Sequence, residues 1–175
     1  YEDDATYNIA ETCVESLKVR ELLDIASVDK DEFFQKISET KLTYGAIPGS
    51  VGLREEITKL YHKKKTIDNI IVTNGGIGAN FLALFSLVGP GDEVVALYPT
   101  YQQLYSLPEA LGAKVRRLRL EPEDGYMPDT NKLRTLVKSN TRAIVINTPN
   151  NPTGACFGEA VMKEIAAIAD RVGAW

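Results

Sequence analysis

From residue 70 onward, short apolar runs alternate with helical repeats, and that rhythm sets the expected architecture. Ile70-Ile71-Val72-Thr73 reads as a β-branched strand, followed by Gly75-Gly76 and an apolar helix from about Ile77 to Val88. Gly89-Pro90-Gly91-Asp92 ends that helix, and Glu93 to Leu97 reads as a second strand. A helix over Tyr101 to Leu111 leads to a third strand, Lys114 to Leu120. Asp129 can cap a helix from about Asn131 to Val137. A fourth strand, Ala143 to Asn147, precedes a helix over Glu159 to Val172, and Ala174-Trp175 would open the next strand. Strands alternating with helices through short loops predict an α/β fold with a largely parallel sheet and helices on both faces.

Before residue 70 the grammar differs. An acidic start runs into a mildly amphipathic arm, with a short helix expected around Leu17 to Ala26 and another over Asp31 to Glu39. The second would set Phe33, Phe34 and Ile37 on one face. Tyr44 to Gly52 carries three glycines and a proline and reads as a loop. A helix is expected over Leu53 to Lys63, with Leu53, Ile57, Leu60 and Tyr61 at helical spacing.

Composition narrows the function classes. With 44% hydrophobic and 25% charged residues the chain has ordinary globular composition, and its net charge of −4 gives no broad attraction to nucleic acid or anionic membrane. Lys63-Lys64-Lys65 and Arg116-Arg117 read as solvated faces or turns. One histidine, His62, and two distant cysteines, Cys13 and Cys156, leave little material for a zinc site or a Ser-His-Asp triad. Free thiols, no secretory segment and a longest apolar stretch of only Phe81 to Val88 fit a cytoplasmic protein that does not span a membrane. The absence of an initial Met and the ending at Trp175, inside a βα unit, suggest a piece of something longer.

Three segments carry candidate chemistry. Thr73-Asn74-Gly75-Gly76-Ile77-Gly78-Ala79 joins a strand to a helix, where glycines allow close approach and free N–H groups favour a phosphate. Glycines at such a turn serve tight packing about as often, and the segment fits neither the Walker nor the GxGxxG pattern, which argues against a nucleotide-binding domain. Tyr98-Pro99-Thr100-Tyr101 follows the second strand, so Tyr101 can offer its ring to a flat ligand; taken alone, a tyrosine packed beneath the turn is the better reading. Asn147-Thr148-Pro149-Asn150-Asn151-Pro152-Thr153-Gly154 can neither continue a strand nor start a helix smoothly, and reads as a shaped turn with asparagine amides available to a ligand.

The last segment, Asn-x-Pro-x-Asn-Pro-Thr-Gly, resembles the signature of fold-type-I, class I/II aminotransferases of the aspartate aminotransferase superfamily. Other pieces fall in that family's order: Tyr44, Gly49 and Leu53-Arg54 look like its Tyr-(x)4-Gly-(x)3-Leu-Arg pattern, Gly75-Gly76 its phosphate turn, Pro90-Gly91-Asp92 and Pro99-Thr100-Tyr101 its two proline turns. The resemblance is good from Thr43 to Trp175 and loose before it.

The resemblance implies a fold like that of pyridoxal 5′-phosphate (PLP)-dependent transferases. Residues 1–43 would be an N-terminal arm with small-domain helices, and 44–175 the first part of an incomplete PLP-binding large domain. Gly75, Gly76 and Ile77 would surround the cofactor phosphate, held by the amides of Gly76 and Ile77. Tyr101 would stack on the pyridine ring, the Asn151 side chain would hydrogen-bond the phenolic oxygen, and Tyr44 would reach the phosphate of the neighbouring subunit in a homodimer. The Tyr98-Pro99 and Asn151-Pro152 bonds would be candidates for cis peptides. Ile77 departs from relatives that carry Ser, Thr or Lys beside these glycines, because its side chain cannot donate.

The implied reaction transfers an amino group between an amino acid and a 2-oxo acid. The Schiff-base lysine, the aspartate on the pyridine nitrogen and the arginine for the substrate carboxylate are all expected beyond residue 175, so no catalytic residue is assigned and this segment alone should be inactive. A PLP-dependent lyase, cyclase or synthase of the same fold is the nearest alternative. A non-catalytic regulatory module ranks lower, since no helix-turn-helix pattern or basic stripe precedes Tyr44.

Overall fold

A computed structural model describes residues 6, 7 and 13–175. The chain divides into two compact units, Tyr1–Ile71 and Val72–Trp175.

The first unit contains helices α1 (Val19–Ile25), α2 (Lys30–Ser38) and α3 (Val51–Thr58), then a 3₁₀ turn at Ile67–Asn69. Asp29 caps α2 by accepting from the Glu32 amide at 2.9 Å, and Ser50 caps α3 through the Leu53 amide at 3.4 Å. Of the unit's apolar side chains only Leu23 and Ile70 are buried among the described residues. A charged group supplies much of the order. The Arg54 guanidinium is buried and its Nε donates to the carbonyls of Ile67 and Ile70 at 3.1 and 3.0 Å. Helix α3 stops at Thr58, five residues short of the expected Lys63. Leu60 and Tyr61 are exposed and find no surface to dock on, and Lys63–Lys65 would crowd like charges, so propensity alone does not sustain another turn.

The second unit runs α4 (Gly75–Leu87), β1 (Glu93–Tyr98), α5 (Gln103–Ala110), β2 (Lys114–Arg119), α6 (Thr130–Leu136), β3 (Thr141–Val145) and α7 (Glu159–Asp170), with a 3₁₀ turn at Pro122–Asp124. Its three strands pair in parallel in the order β2-β1-β3. The central strand is buried from Glu93 to Leu97, and alternate residues pack to opposite faces. Val95 and Leu97 join Leu118, Leu133, Phe157, Ile165 and Ile168 on the side of α6 and α7. Val94 joins Leu84, Val88, Ala113 and Ala143 on the side of α4. The parallel sheet with a helical layer on each face is therefore the expected one.

Ile70–Thr73 is not a strand, contrary to expectation. A β-branched run becomes a strand only where a sheet edge receives it, and this run pairs neither with β1, whose edges β2 and β3 occupy, nor with the outer edge of β2. Ile71 is exposed and packs no face. At the outer edge of β3, the Trp175 amide donates to the Arg142 carbonyl at 3.0 Å and its carbonyl accepts from the Ile144 amide at 2.8 Å. That is the parallel ladder pattern expected of Ala174-Trp175.

Asp129 caps α6 as expected, accepting from the amides of Asn131 and Lys132 at 2.9 and 3.1 Å. The turn before β1 is held closely. Gly112, at φ +85°, would place a Cβ 3.3 Å from Pro90, so only glycine meets both the backbone conformation and the approach. At the start of β1, buried Glu93 lies 2.6 Å from Arg116 Nε, and hydrogen bonding to this carboxylate, helped by charge attraction and opposed by desolvation, raises the Arg116 pKa.

Candidate functional site

The site lies where the order of the sheet changes direction. From β1 the chain passes through α5 to β2 on one side, and β3 lies on the other. In such open parallel sheets the crevice outside the carboxyl ends of the diverging strands receives ligands. A cavity of about 360 Å³ is found there, lined by Gly76, Ile77, Asn80, Tyr101, Leu104, Ile146, Asn147 and Asn151. Its volume falls in the range of small-molecule and cofactor sites, about 300–1,000 Å³.

The first wall is the start of α4, which begins at Gly75, two residues earlier than its apolar pattern indicates. Both glycines of the turn thus enter the helix. Gly75 has φ +74°, and a Cβ on Gly76 would meet no atom within 4 Å, so the backbone there is open toward the cavity. Asn74 makes no side-chain cap. The N–H groups of the first turn remain available, with about half a positive charge from the helix dipole. No lining residue carries a formal charge, so this helix end is the cavity's positive feature.

The second wall follows β1. Tyr98 and Tyr101 divide their roles in a way the sequence leaves open. Tyr98 packs edge-on against Tyr105 at 5.7 Å and lies under the Arg117 guanidinium at 5.4 Å. Tyr101 has no ring partner among the described residues, is 37% exposed and lines the cavity.

The third wall follows β3 and is the asparagine- and proline-rich turn. Asn147 Oδ1 accepts from the Asn151 amide at 2.7 Å, and Thr148 Oγ1 accepts from the Phe157 amide at 2.9 Å. Asn150, 3% exposed, donates through Nδ2 to the Pro99 carbonyl at 3.1 Å and to Thr153 Oγ1 at 2.8 Å. Asn150 thereby ties this turn to the one after β1. With these bonds made inside the turn, the Asn151 side-chain amide keeps its hydrogen-bonding capacity free of protein partners among the described residues. Tyr98-Pro99 and Asn151-Pro152 are cis, as expected, and so is Thr148-Pro149.

Of the residues singled out from sequence, Gly76, Ile77, Tyr101 and Asn151 line this one cavity, and Gly75 adjoins it at the head of α4. Tyr44 belongs to the other compact unit, where its side chain is fully exposed. Sequence reasoning missed Asn80, Leu104 and Ile146 as lining residues. Asn80 had a usable signal: with Ser86 it is one of two polar side chains in an apolar helix, and it falls one turn beyond Gly76 and Ile77 on the same face. Its Nδ2 donates to Gln103 Oε1 at 3.1 Å, and Gln103 Nε2 donates to the Ile77 carbonyl at 2.8 Å. Among the described residues no group of His, Cys, Asp and Glu side chains could hold a metal ion, and no helix is long and apolar enough to cross a membrane.

The chain is similar to known proteins. The chain is 39% identical to an aspartate aminotransferase of Pyrococcus horikoshii over 122 residues, 67% of this chain and 31% of that protein. It is also 39% identical to the capreomycidine synthase of Streptomyces vinaceus over 109 residues, 61% of this chain and 28% of that protein. A solved structure of a PLP-dependent aminotransferase from Streptococcus suis 89-1591 superposes with a TM-score of 0.95 and 43% identity, covering 99% of this chain and 46% of that one. The chain thus spans about a third of the length of these curated relatives and under half of the solved chain. The family model for aminotransferase class I and II matches residues 13–175, and this chain belongs to that family.

Proposed function

We propose that this chain supplies the phosphate-, ring- and oxygen-binding walls of a PLP site, in an enzyme that transfers an amino group between an amino acid and a 2-oxo acid. The observation that carries the reading is the meeting of Gly76, Ile77, Tyr101 and Asn151 around one cavity. The donor set suits the cofactor's three parts. A phosphate needs unpaired N–H groups and positive potential, which the uncapped, glycine-opened start of α4 provides. A flat heteroaromatic ring needs an unpartnered aromatic face, and Tyr101 has one. A phenolic oxygen needs a donor, and the Asn151 amide is uncommitted.

In this reading the Gly76 and Ile77 amides bind the phosphate, Tyr101 keeps the ring from tilting, and Asn151 orients it by donating to the ring oxygen. Ile77 and Leu104 exclude water from the apolar side. When bound, the cofactor draws electron density from the bond being broken at the substrate's α-carbon. No lysine lines the cavity, so the covalent anchor and proton carrier belongs, in this proposal, to the part of the relatives' length that this chain does not span. Fully exposed Tyr44 would reach the phosphate of a neighbouring subunit in a cytoplasmic homodimer. Residues 1–43 would form the arm and small-domain helices, and 44–175 the start of the cofactor domain. No nucleic acid or membrane partner is required.

The similarity to a synthase, as high in identity as that to the aspartate aminotransferase, favours PLP-dependent synthase chemistry as the second reading, beside the lyase and cyclase reactions of the same fold. Both readings use the same cofactor walls. The deciding experiment is a half-reaction on the full-length protein with an amino acid and no 2-oxo acid. Transamination converts the cofactor to its amine form with one equivalent of 2-oxo acid released. Recovery of unchanged cofactor with an eliminated or cyclised product would overturn the transfer reading. If Asn151→Ala and Tyr101→Leu leave PLP affinity unaltered, the site assignment itself is wrong.

A further inference from the structure

The first turn of α4 must hold its N–H groups in a fixed direction, yet it is built from the least helix-favouring residue. Gly75, Gly76 and Gly78 occupy three of its first four positions. Asn74 does not cap it, and Thr73 Oγ1 bonds only the Gly75 carbonyl, at 2.8 Å. Among the described residues, the bond that reaches this turn from another element is Gln103 Nε2 to the Ile77 carbonyl, at 2.8 Å. A helical carbonyl has a second lone pair, so this bond adds to the helix ladder rather than replacing part of it. Asn80 Nδ2 donates to Gln103 Oε1 at 3.1 Å, which fixes the Gln103 amide with its NH₂ toward Ile77. Gln103 opens α5, two residues after Tyr101, and it does not itself line the cavity.

We infer that Gln103 is a positioning residue: with Asn80 it clamps the glycine-rich first turn of α4 to the start of α5, and so fixes the phosphate-binding amides relative to the Tyr101 ring. The inference rests on the cofactor reading above, and it concerns how the chain organises that site. Neither partner contributes charge. The effect falls on the order of the turn, and through it on the phosphate, because the backbones of Tyr101 and Asn151 are held by other bonds, to the Leu104 amide and to Asn147 Oδ1.

The test compares full-length wild-type protein with Gln103→Met, which keeps the length and apolar stem but removes the donor and acceptor. Dissociation constants for PLP and for pyridoxal, which lacks the phosphate, are measured by fluorescence titration of cofactor-free protein. Gln103→Met should weaken PLP binding about tenfold, the size expected from losing one or two hydrogen bonds, and pyridoxal binding by less than about twofold. Asn80→Leu should move both constants the same way by less. In cofactor-free protein, amide exchange of Ala79, Asn80 and Phe81, which close the first turn, should speed up in Gln103→Met. Equal losses for the two compounds, or no change in either constant or in exchange, would overturn the role of Gln103. A wild-type protein that binds neither compound sinks the cofactor reading instead, a result independent of the exchange measurement.

Discussion

Two adjacent glycines at the head of α4 make opposite demands. Gly75 sits at φ +74°, where a side chain costs about 1–2 kcal/mol, whereas Gly76 has an ordinary φ and open space where a Cβ would lie. Gly75→Ala should therefore lower stability by about that amount in urea unfolding. Gly76→Val should leave the unfolding midpoint nearly unchanged and weaken PLP binding by more than about tenfold, since its branches occupy the cavity rather than the core. A reversed pattern would show that Gly76 is a packing glycine and no part of the site. Tyr101 invites a similar contrast. Tyr101→Phe keeps the ring and should bind the cofactor like wild type, while Tyr101→Leu should lose about fivefold, the equivalent of ~1 kcal/mol of stacking.

At the scale of elements, helices α2, α3 and α6 each have a side chain accepting from their first turn. Helix α4 shares with α5 and α7 the lack of one, and of these α4 turns its uncapped end to the cavity. The cap of α6 gives a pH prediction. The hydrogen bond from the Lys132 amide, then that from Asn131, holds the Asp129 carboxyl below its ordinary value despite some desolvation. A depressed folded-state pKa means stabilisation that is complete above the unfolded value of about 3.9 and fades as pH falls through the lower folded one. The unfolding midpoint of wild type should exceed that of Asp129→Ala at neutral pH, and the gap should narrow below about pH 4. A gap independent of pH would mean that charge plays no part in the cap.

The whole molecule depends on β1, whose side chains reach both helical layers. Leu97, 1% exposed, is enclosed between the sheet and α6 and α7, so Leu97→Ala should cost about 2–5 kcal/mol in chemical unfolding. The loss should also disturb the cavity, because Tyr98 and the turn after it leave directly from that residue. Chemistry at this scale has a simpler check. With no lysine among the lining residues, borohydride treatment of the 175-residue chain with PLP should give no stoichiometric adduct at a single site. One lysine labelled to completion would contradict the proposed division of the site.

Much of this was legible in the linear chain because the deciding forces are local. Prolines at 149 and 152, glycines at 75 and 76 and the continuous apolar run Val94–Leu97 restrict backbone and burial without reference to distant residues. The asparagine-proline turn and the family resemblance follow from such residues, and with them the parallel sheet covered on both faces. The tertiary structure decided whatever depends on a partner. Ile70–Thr73 has strand propensity but pairs with no strand of the sheet, and Leu60 and Tyr61 have helical spacing but stay exposed. Tyr98 and Tyr101 are alike in sequence, yet only Tyr101 is left without a ring neighbour. Asn80 and Gln103, 23 residues apart, become one hydrogen-bonded pair only when α4 and α5 pack together. Propensity is a property of a residue and its neighbours in the chain; a hydrogen bond or a cavity wall belongs to two surfaces, and only folding brings them together.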